Sequence, residues 1–307
     1  MLINIELKKY LFGVAKHTHK RKNFIMKIKR TKEIKEQVLL ANKVKMELLR
    51  LIKNEISAAE SKGIDVDAWN ALLIEVELVA ESFDLSLKAC AFQDVDRRVS
   101  MLSGPFFTSN EHPVPAAGSD VIFPVLQLEL KELSAAIRDD LGDGLIQLWY
   151  DLKAQQELIR VIPITDVKGQ TMTEFDWISV ATENAFPMPH YWNLDPVGKG
   201  VQIISGLTSK GIQTDHDGFE ASYFNASNDD KCWLWTLLQL FEKIAFAKFT
   251  HPIQMFGTHG AIQYSASDVG MNRLIDVSDW GSTGHAQVFY KANKGHPTQF
   301  SFWNCVR

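Results

Sequence analysis

The densest group of metal-ligand side chains in the sequence is the run Asp215, His216 and Asp217. Carboxylate oxygens and imidazole nitrogens are common ligands of divalent cations. In a strand the two aspartates would share one face, so a single ion would need the turn that Gly218 permits. With His190 as a further ligand, this set predicts a metal-dependent hydrolase as an alternative function. We favour a surface turn, because aspartates accept backbone hydrogen bonds there and a metal site needs several converging ligands.

The candidate nucleophiles are three cysteines, Cys90, Cys232 and Cys305. They are widely spaced and form neither a Cys-x-x-Cys pair nor a zinc pattern, so we expect free thiols in a reducing compartment. Cys232 or Cys305 could join a Cys–His pair, but one begins an apolar helix and the other ends a strand, which is typical of buried structural cysteines. The sequence has no Gly-x-Ser-x-Gly elbow and no Gly-x-x-x-x-Gly-Lys loop. We therefore predict no catalytic residues and no cofactor, and we favour a protein that is not an enzyme.

Three glutamines, Gln127, Gln147 and Gln287, lie inside apolar, strand-like runs. A buried amide costs about 1–3 kcal/mol unless it is paired. We therefore predict that these side chains form cross-strand hydrogen bonds, which fix the register between two halves of a sheet. A polar floor for a ligand groove is the alternative.

Two of these glutamines belong to segments that resemble each other. Residues 143–150 and 283–290 both follow the pattern x-Gly-x-x-Gln-aliphatic-aromatic-Tyr, and each follows a strand-like run with alternating acidic and aliphatic residues. The repeat predicts one β unit used twice. We expect an α+β fold with a mostly antiparallel β body of two pseudo-repeated halves, preceded by a helical hairpin. A ligand groove would then lie between the halves, with Gln147 and Gln287 on opposite sides.

The first 95 residues divide into two regions. Residues 1–30 are basic and lack a clear period, so we expect a disordered tail. Residues 31–95 are predicted to form the helical hairpin, because apolar residues recur there at three- and four-residue steps. Gly63 would end the first helix, and the second would continue to about Phe92.

Residues 96–307 are predicted to form a β-rich domain. It would include a short helix over residues 131–140 and a largely apolar, buried helix near residues 231–248. The expected strands are residues 121–130, 145–152, 157–164, 177–181, 201–204, 261–264, 273–277, 286–291 and 298–305.

Charge separates the first thirty residues from the rest. The chain of 307 residues has a net charge of −4, but nine basic residues and one acidic residue give residues 1–30 a charge of +8, so the remainder carries −12. An acidic body repels phosphates, so we expect no nucleic-acid partner; binding through the basic tail is the second alternative function. No apolar run reaches the roughly 20 residues that span a bilayer, so we expect a cytoplasmic protein without a membrane partner.

Motifs near the end of the chain follow a family pattern. They are Leu274-Ile275-Asp276, Trp280-Gly281 followed by Gly284, Gln287-Val288-Phe289-Tyr290, and the closing Phe300-Ser301-Phe302-Trp303-Asn304-Cys305. These residues resemble the C-terminus of the YwqG-like proteins, and looser matches extend the resemblance to patches of residues 100–165 and 255–307. Leu274, Ser282 and Asn304 depart from the pattern. The resemblance implies a mostly β fold of two related halves, and it brings no catalytic residues because the family has no established activity.

The resemblance also implies a function. Small bacterial proteins of this sort often sit near toxin genes, so an immunity or inhibitor role is expected from it. We predict a non-enzymatic protein-binding module, with inhibition of a toxin as its most specific form. An acidic surface that covers a basic effector would suit the charge of −12 outside the tail.

Overall fold

The computed structural model describes residues 26–91, 94–102, 104–115, 122–137, 140–151, 156–173, 201–212, 229–244, 253–257, 271–280, 284–293 and 296–306. Over these ranges the protein combines α-helices with one large, mainly antiparallel sheet. The predicted α+β class is therefore confirmed.

A helical hairpin follows the first short strand of the described chain. Helix α1 (Lys32–Glu60) begins after Thr31, whose Oγ1 accepts a hydrogen bond from the Ile34 N–H at 3.2 Å and so satisfies one free donor of the first turn. Gly63 follows the helix with a φ of 65°, a left-handed conformation that suits glycine, and helix α2 (Asp67–Leu78) comes next. Both helices of the predicted hairpin are present.

The second helix is shorter than predicted. It ends at Leu78, and the expectation that it continues to about Phe92 is wrong, because Glu81–Cys90 forms a strand. Phe83, Leu85 and Leu87 lie in or against the main apolar core and alternate with polar residues. A two-residue period places alternate side chains on one face of a strand. This alternation, rather than the helical spacing before it, determines the structure of residues 81–90.

Within the described ranges the sheet has eleven strands, and all but one of their pairings are antiparallel. The strands are β1 (Lys27–Lys29), β2 (Glu81–Cys90), β3 (Met101–Leu102), β4 (Ile122–Glu129), β5 (Gly144–Asp151), β6 (Gln156–Pro163), β7 (Val201–Ile212), β8 (Ile253–Phe256), β9 (Asn272–Trp280), β10 (Gly284–Asn293) and β11 (His296–Val306). Their order is β11-β10-β9-β8-β2-β7-β3-β4-β5-β6, and β1 pairs with β7 in parallel. The outermost strands β11 and β6 approach each other, so the sheet is nearly closed and barrel-like.

Six of the predicted strands are confirmed to within a few residues, as β4, β5, β6, β9, β10 and β11. Strand β7 is longer than the predicted residues 201–204, and the short strands β1, β3 and β8 were not predicted. Strand β1 also corrects the expected tail, since residues 27–29 are paired with β7 rather than disordered. The expected strands at residues 177–181 and 261–264 lie outside the described residues.

In the part of the chain that the structure describes, three more helices follow the hairpin: α3 (Leu130–Ile137), α4 (Ile164–Gly169) and α5 (Asp229–Ile244). Helix α5 is the helix predicted near residues 231–248, but its described side chains are not all buried, because Leu240 is 44% exposed while Phe241 is fully buried. None of the helices in the described ranges is both long and apolar enough to span a membrane.

The helices form a layer with its own apolar core. Leu48 and Ile52 of α1, Val76 of α2 and Phe241 of α5 belong to one buried cluster. Ile212, the last residue of β7, belongs to the same cluster. The helical layer is therefore packed on the sheet.

Candidate functional site

The residues that the sequence offered as metal ligands are not in the described ranges. Asp215, His216, Asp217 and His190 all lie outside them, so the hydrolase site predicted from these residues stays a prediction. Cys232 lies in α5 and Cys305 in β11, but their side chains also lie outside the described part of the structure. Cys90, in β2, is a free and partly exposed thiol.

Gln127 and Gln147 form a buried hydrogen-bond network across β4 and β5. The two residues are register partners, and Gln147 Nε2 donates to Gln127 Oε1 at 2.7 Å. Gln127 Oε1 also accepts from the Phe107 N–H at 3.0 Å, and Gln147 Nε2 donates to the Phe107 carbonyl at 2.8 Å. Gln127 Nε2 donates to the carbonyls of Arg97 and Val99 at 2.9 and 2.8 Å. The predicted cross-strand bond is confirmed, but it joins neighbouring strands rather than two halves.

Arg160 of β6 continues this network towards the surface. Its Nε donates to Gln147 Oε1 at 2.7 Å, and its Nη1 donates to the Pro113 carbonyl at 2.5 Å. The guanidinium also lies 5.4 Å from the ring centre of Trp149, within cation–π range. Burial lowers the pKa of Arg160 to about 10, so the side chain stays charged at neutral pH. Arg160 therefore ties the loop at residues 104–115 to the sheet.

Arg97 fixes the same loop from the other side. Its Nε and Nη2 donate to the Phe106 carbonyl at 2.9 and 2.8 Å, and its Nη1 donates to the Thr173 carbonyl at 2.8 Å. Nη2 also donates to Thr108 Oγ1 at 2.6 Å. The polar network holds a loop in place, and its amides are occupied by protein groups. This favours the structural interpretation of Gln127 over the polar floor of a ligand groove.

The tip of this loop carries a cluster of possible metal ligands. One side-chain donor atom from each of Glu111, His112 and Asp166 lies within 4.8 Å of the others. His112 Nε2 and Asp166 Oδ2 are 2.8 Å apart, and both side chains are partly buried. The His112 hydrogen bond is the main cause of the lowered pKa of Asp166, so this carboxylate stays ionised. Gln170 Nε2 donates to Glu111 Oε2 at 2.5 Å. We call Glu111, His112 and Asp166 the loop cluster.

No sequence pattern linked the residues of the loop cluster. His112 lies in a proline-containing loop, and Asp166 lies in the first turn of α4, 54 residues further along the chain. Ligand motifs on one helix or hairpin have fixed spacing, but this contact depends on the loop lying against α4. The available signal was limited to a carboxylate and an imidazole side by side, Glu111 and His112, before Pro113.

A set of four acidic side chains is centred on the end of β4. Burial, and then the neighbouring Asp143, raise the pKa of Glu129, with a further contribution from Asp96. Burial and then the charge of Glu129 raise the pKa of Glu132, in α3, to about 7, although the Met26 N–H stabilises its charged form. Lys131 and Lys168 offset only part of the effect at Glu129. We call Asp96, Glu129, Glu132 and Asp143 the acidic edge.

The other end of the strand order contains a comparable buried network. Gln287 of β10 donates from Nε2 to Asp276 Oδ2 of β9 at 3.0 Å, and these residues are register partners. Arg273 Nη1 donates to the same carboxylate oxygen at 3.0 Å, and its Nε donates to the Phe256 carbonyl at 2.8 Å. The Arg273 side chain is fully buried, so its ion pair with Asp276 is shielded from solvent. Both glutamines of the repeated pattern therefore sit in buried networks that contain an arginine.

Comparisons with known proteins add no relative to this description. No family model matches the chain, and neither the curated proteins nor the solved structures yielded a match.

Proposed function

We propose that the protein is a non-enzymatic protein-binding module that recognises a basic partner through the acidic edge. The observation that carries the proposal is the raised pKa of Glu132, about 7, beside the raised pKa of Glu129. The fold holds these carboxylates where burial and neighbouring acidic groups disfavour their charged forms. Perturbed groups of this kind are concentrated at functional sites.

A basic side chain from a partner would relieve this cost. An opposite charge within about 4–6 Å favours the ionised form of a carboxylate and lowers its pKa. Glu129 and Glu132 would then both be ionised in the complex, and the repulsion between them would be compensated across the interface. The charge of −12 outside residues 1–30 would also attract a basic partner at long range.

An inhibitor of a bacterial toxin in the cytoplasm is the most specific form of this proposal. It follows from the resemblance to YwqG-like proteins, which stays a prediction. Nucleic-acid binding through residues 1–30 also stays a prediction, since only residues 26–30 of that region are described.

We also propose that the two meanders β4–β6 and β9–β11 are related halves of the β body. In each, the middle strand carries a buried glutamine that is hydrogen-bonded to a polar register partner on the preceding strand, Gln147 to Gln127 and Gln287 to Asp276. An arginine reaches each pair, Arg160 in the first and Arg273 in the second. The shared arrangement supports a duplication.

The proposed function is tested by binding to the product of a neighbouring gene. We expect a complex in a pull-down at low salt that weakens at high salt, because exposed charges are screened. Glu129→Gln together with Glu132→Gln should weaken it at least tenfold, whereas Glu36→Gln, a change at an exposed residue of α1, should not. Absence of binding to any neighbouring gene product at low salt would refute the proposal.

Proton release provides a sharper test of where the partner binds. With a pKa of about 7, Glu132 is about half protonated at pH 7, so a bound cation should release up to about half a proton from it. Calorimetry in two buffers with different heats of ionisation measures this number. Glu132→Gln should remove this part of the release; an unchanged release in this variant would place the interface elsewhere.

A further inference from the structure

We propose that the loop cluster, Glu111, His112 and Asp166, binds a divalent transition-metal ion, and that Zn²⁺ is the ion it fits best. The cluster brings one imidazole nitrogen and two carboxylate oxygens within 4.8 Å of one another. This site uses none of the residues of the acidic edge, and it does not depend on the proposed protein-binding function.

The donor set and its dimensions suit zinc. Tetrahedral zinc with bonds of 2.0–2.2 Å to nitrogen and oxygen places its ligand atoms about 3.4 Å apart. His112 Nε2 and Asp166 Oδ2 are 2.8 Å apart, so the two atoms need to separate only slightly to receive an ion. Glu111 is exposed and can reach the same point by side-chain rotation. Water would complete the coordination, as is common where three protein residues hold zinc.

The segments that carry the ligands are held in place independently of an ion. The Ser109 N–H donates to the His112 carbonyl at 3.0 Å, and the His112 N–H donates to Ser109 Oγ at 3.1 Å. Thr165 Oγ1 donates to Asp166 Oδ1 at 3.1 Å, which leaves Oδ2 facing His112. Val167, the next residue, is buried and anchors α4. Groups that orient ligands in this way contribute to metal affinity.

Binding of the ion replaces one hydrogen bond of the loop cluster and leaves the charges there balanced. The ion takes the place of the hydrogen bond between His112 Nε2 and Asp166 Oδ2, and the imidazole binds it through Nε2 with its N–H on Nδ1. The two carboxylates neutralise the charge of the ion. Arg160 donates to the His112 carbonyl at 3.5 Å rather than to the ligand atoms.

Calorimetric titration of the full chain with ZnCl₂ tests the proposal. We expect one saturable site, weakened at least tenfold by His112→Gln and by Asp166→Asn, and less by Glu111→Gln because this residue is the most exposed ligand. Glu36→Gln, an exposed carboxylate on α1, should leave binding unchanged. Circular dichroism without zinc should show that all four variants keep the wild-type spectrum, and the wild-type melting temperature should rise with Zn²⁺.

Two results would overturn the assignment. One is the absence of a saturable Zn²⁺ site in the wild-type chain. The other is a site that survives His112→Gln and Asp166→Asn and is lost in His216→Gln, which would assign the metal to Asp215, His216 and Asp217 instead. The double variant of Glu129 and Glu132 should bind Zn²⁺ as the wild type does, so failure of this proposal and failure of the protein-binding proposal are distinguishable.

Discussion

Replacement of Glu132 by glutamine should stabilise the protein at pH 8 and have little effect at pH 4.5. In the folded protein the pKa of Glu132 is raised from 4.5 to about 7, first by burial and then by the charge of Glu129. The folded state therefore binds more protons than the unfolded state between these two values. It follows that the contribution of Glu132 to stability falls as pH rises from about 4.5 to about 7.

The expected change in the free energy of unfolding follows from the rise in the pKa of Glu132. A rise from 4.5 to about 7 corresponds to about 3 kcal/mol at 1.36 kcal/mol for each pH unit. Glu132 is only partly buried, and solvent screening reduces the expected cost to about 1–2 kcal/mol. Glutamine keeps an acceptor for the Met26 N–H and removes the charge, so Glu132→Gln should recover this amount at pH 8.

Urea denaturation at pH 4.5 and pH 8 measures the effect as a change in midpoint at constant slope. Glu36→Gln is the matched control, because Glu36 is exposed and forms only a surface pair with Lys32, so its effect should stay within about 0.5 kcal/mol at both pH values. Equal effects of Glu132→Gln at both pH values, or a loss of stability at pH 8, would refute the electrostatic account of the acidic edge.

Three further predictions concern the fold. Gly144→Ala should lower the free energy of unfolding by about 3 kcal/mol or more, because the φ of Gly144 is 123° and the new Cβ would lie 2.1 Å from the Ile162 carbonyl oxygen. The control Gly142→Ala has a φ of 92° and open space around the new Cβ, so it should lower the free energy of unfolding by only about 1–2 kcal/mol. Urea denaturation measures both changes. Gln127→Leu should lower the free energy of unfolding by about 3 kcal/mol or more, because it removes the hydrogen-bond partner of the buried Phe107 N–H and of the Arg97 and Val99 carbonyls. Gln299→Leu, at an exposed position, should change the stability little. Gly206→Ala should displace β1, because the new Cβ would lie 2.5 Å from the Lys27 carbonyl oxygen. Trypsin should then cleave the chain near residues 27–30 faster than in the wild type. An unchanged cleavage rate would contradict this prediction.

Long elements with a clear period could be predicted from the sequence, and short ones could not. Helix α1 and strands β4–β6 and β9–β11 carry enough apolar residues at one spacing to fix their type. The strands β1, β3 and β8 are two to four residues long and exist because they pair with β7, β4 or β2. Such pairing is a property of the whole sheet, so no local pattern reveals it.

Strand β2 shows how two periods can compete in one segment. Leu72, Val76 and Val79 continue a helical spacing that extends to Phe83, and this spacing predicted one long helix. Leu85 and Leu87 extend the alternation that begins at Phe83, and burial in the sheet core decides in favour of a strand. The hydrophobic surface available to a segment in three dimensions therefore determines which of two compatible periods is used.

The candidate sites were the least predictable part, for a related reason. The sequence indicated that Gln127 and Gln147 needed partners, but it could not show that the loop backbone at Phe107 supplies two of their hydrogen bonds. The pair of His112 and Asp166 exists only because that loop is held against the sheet. A buried amide network thus fixes a loop, and the fixed loop brings a histidine to a carboxylate on α4.

Helix α4 connects the two candidate sites. Asp166 contacts His112 of the loop cluster, and the charge of Lys168, two residues later, acts on Glu129 of the acidic edge. Between them, Val167 is buried and its carbonyl accepts a hydrogen bond from Arg98 Nε at 2.9 Å. One short helix therefore carries a ligand of the loop cluster and a lysine whose charge acts on the acidic edge. The arrangement places the proposed metal and the proposed partner at the same end of β4–β6, with separate residues to bind each.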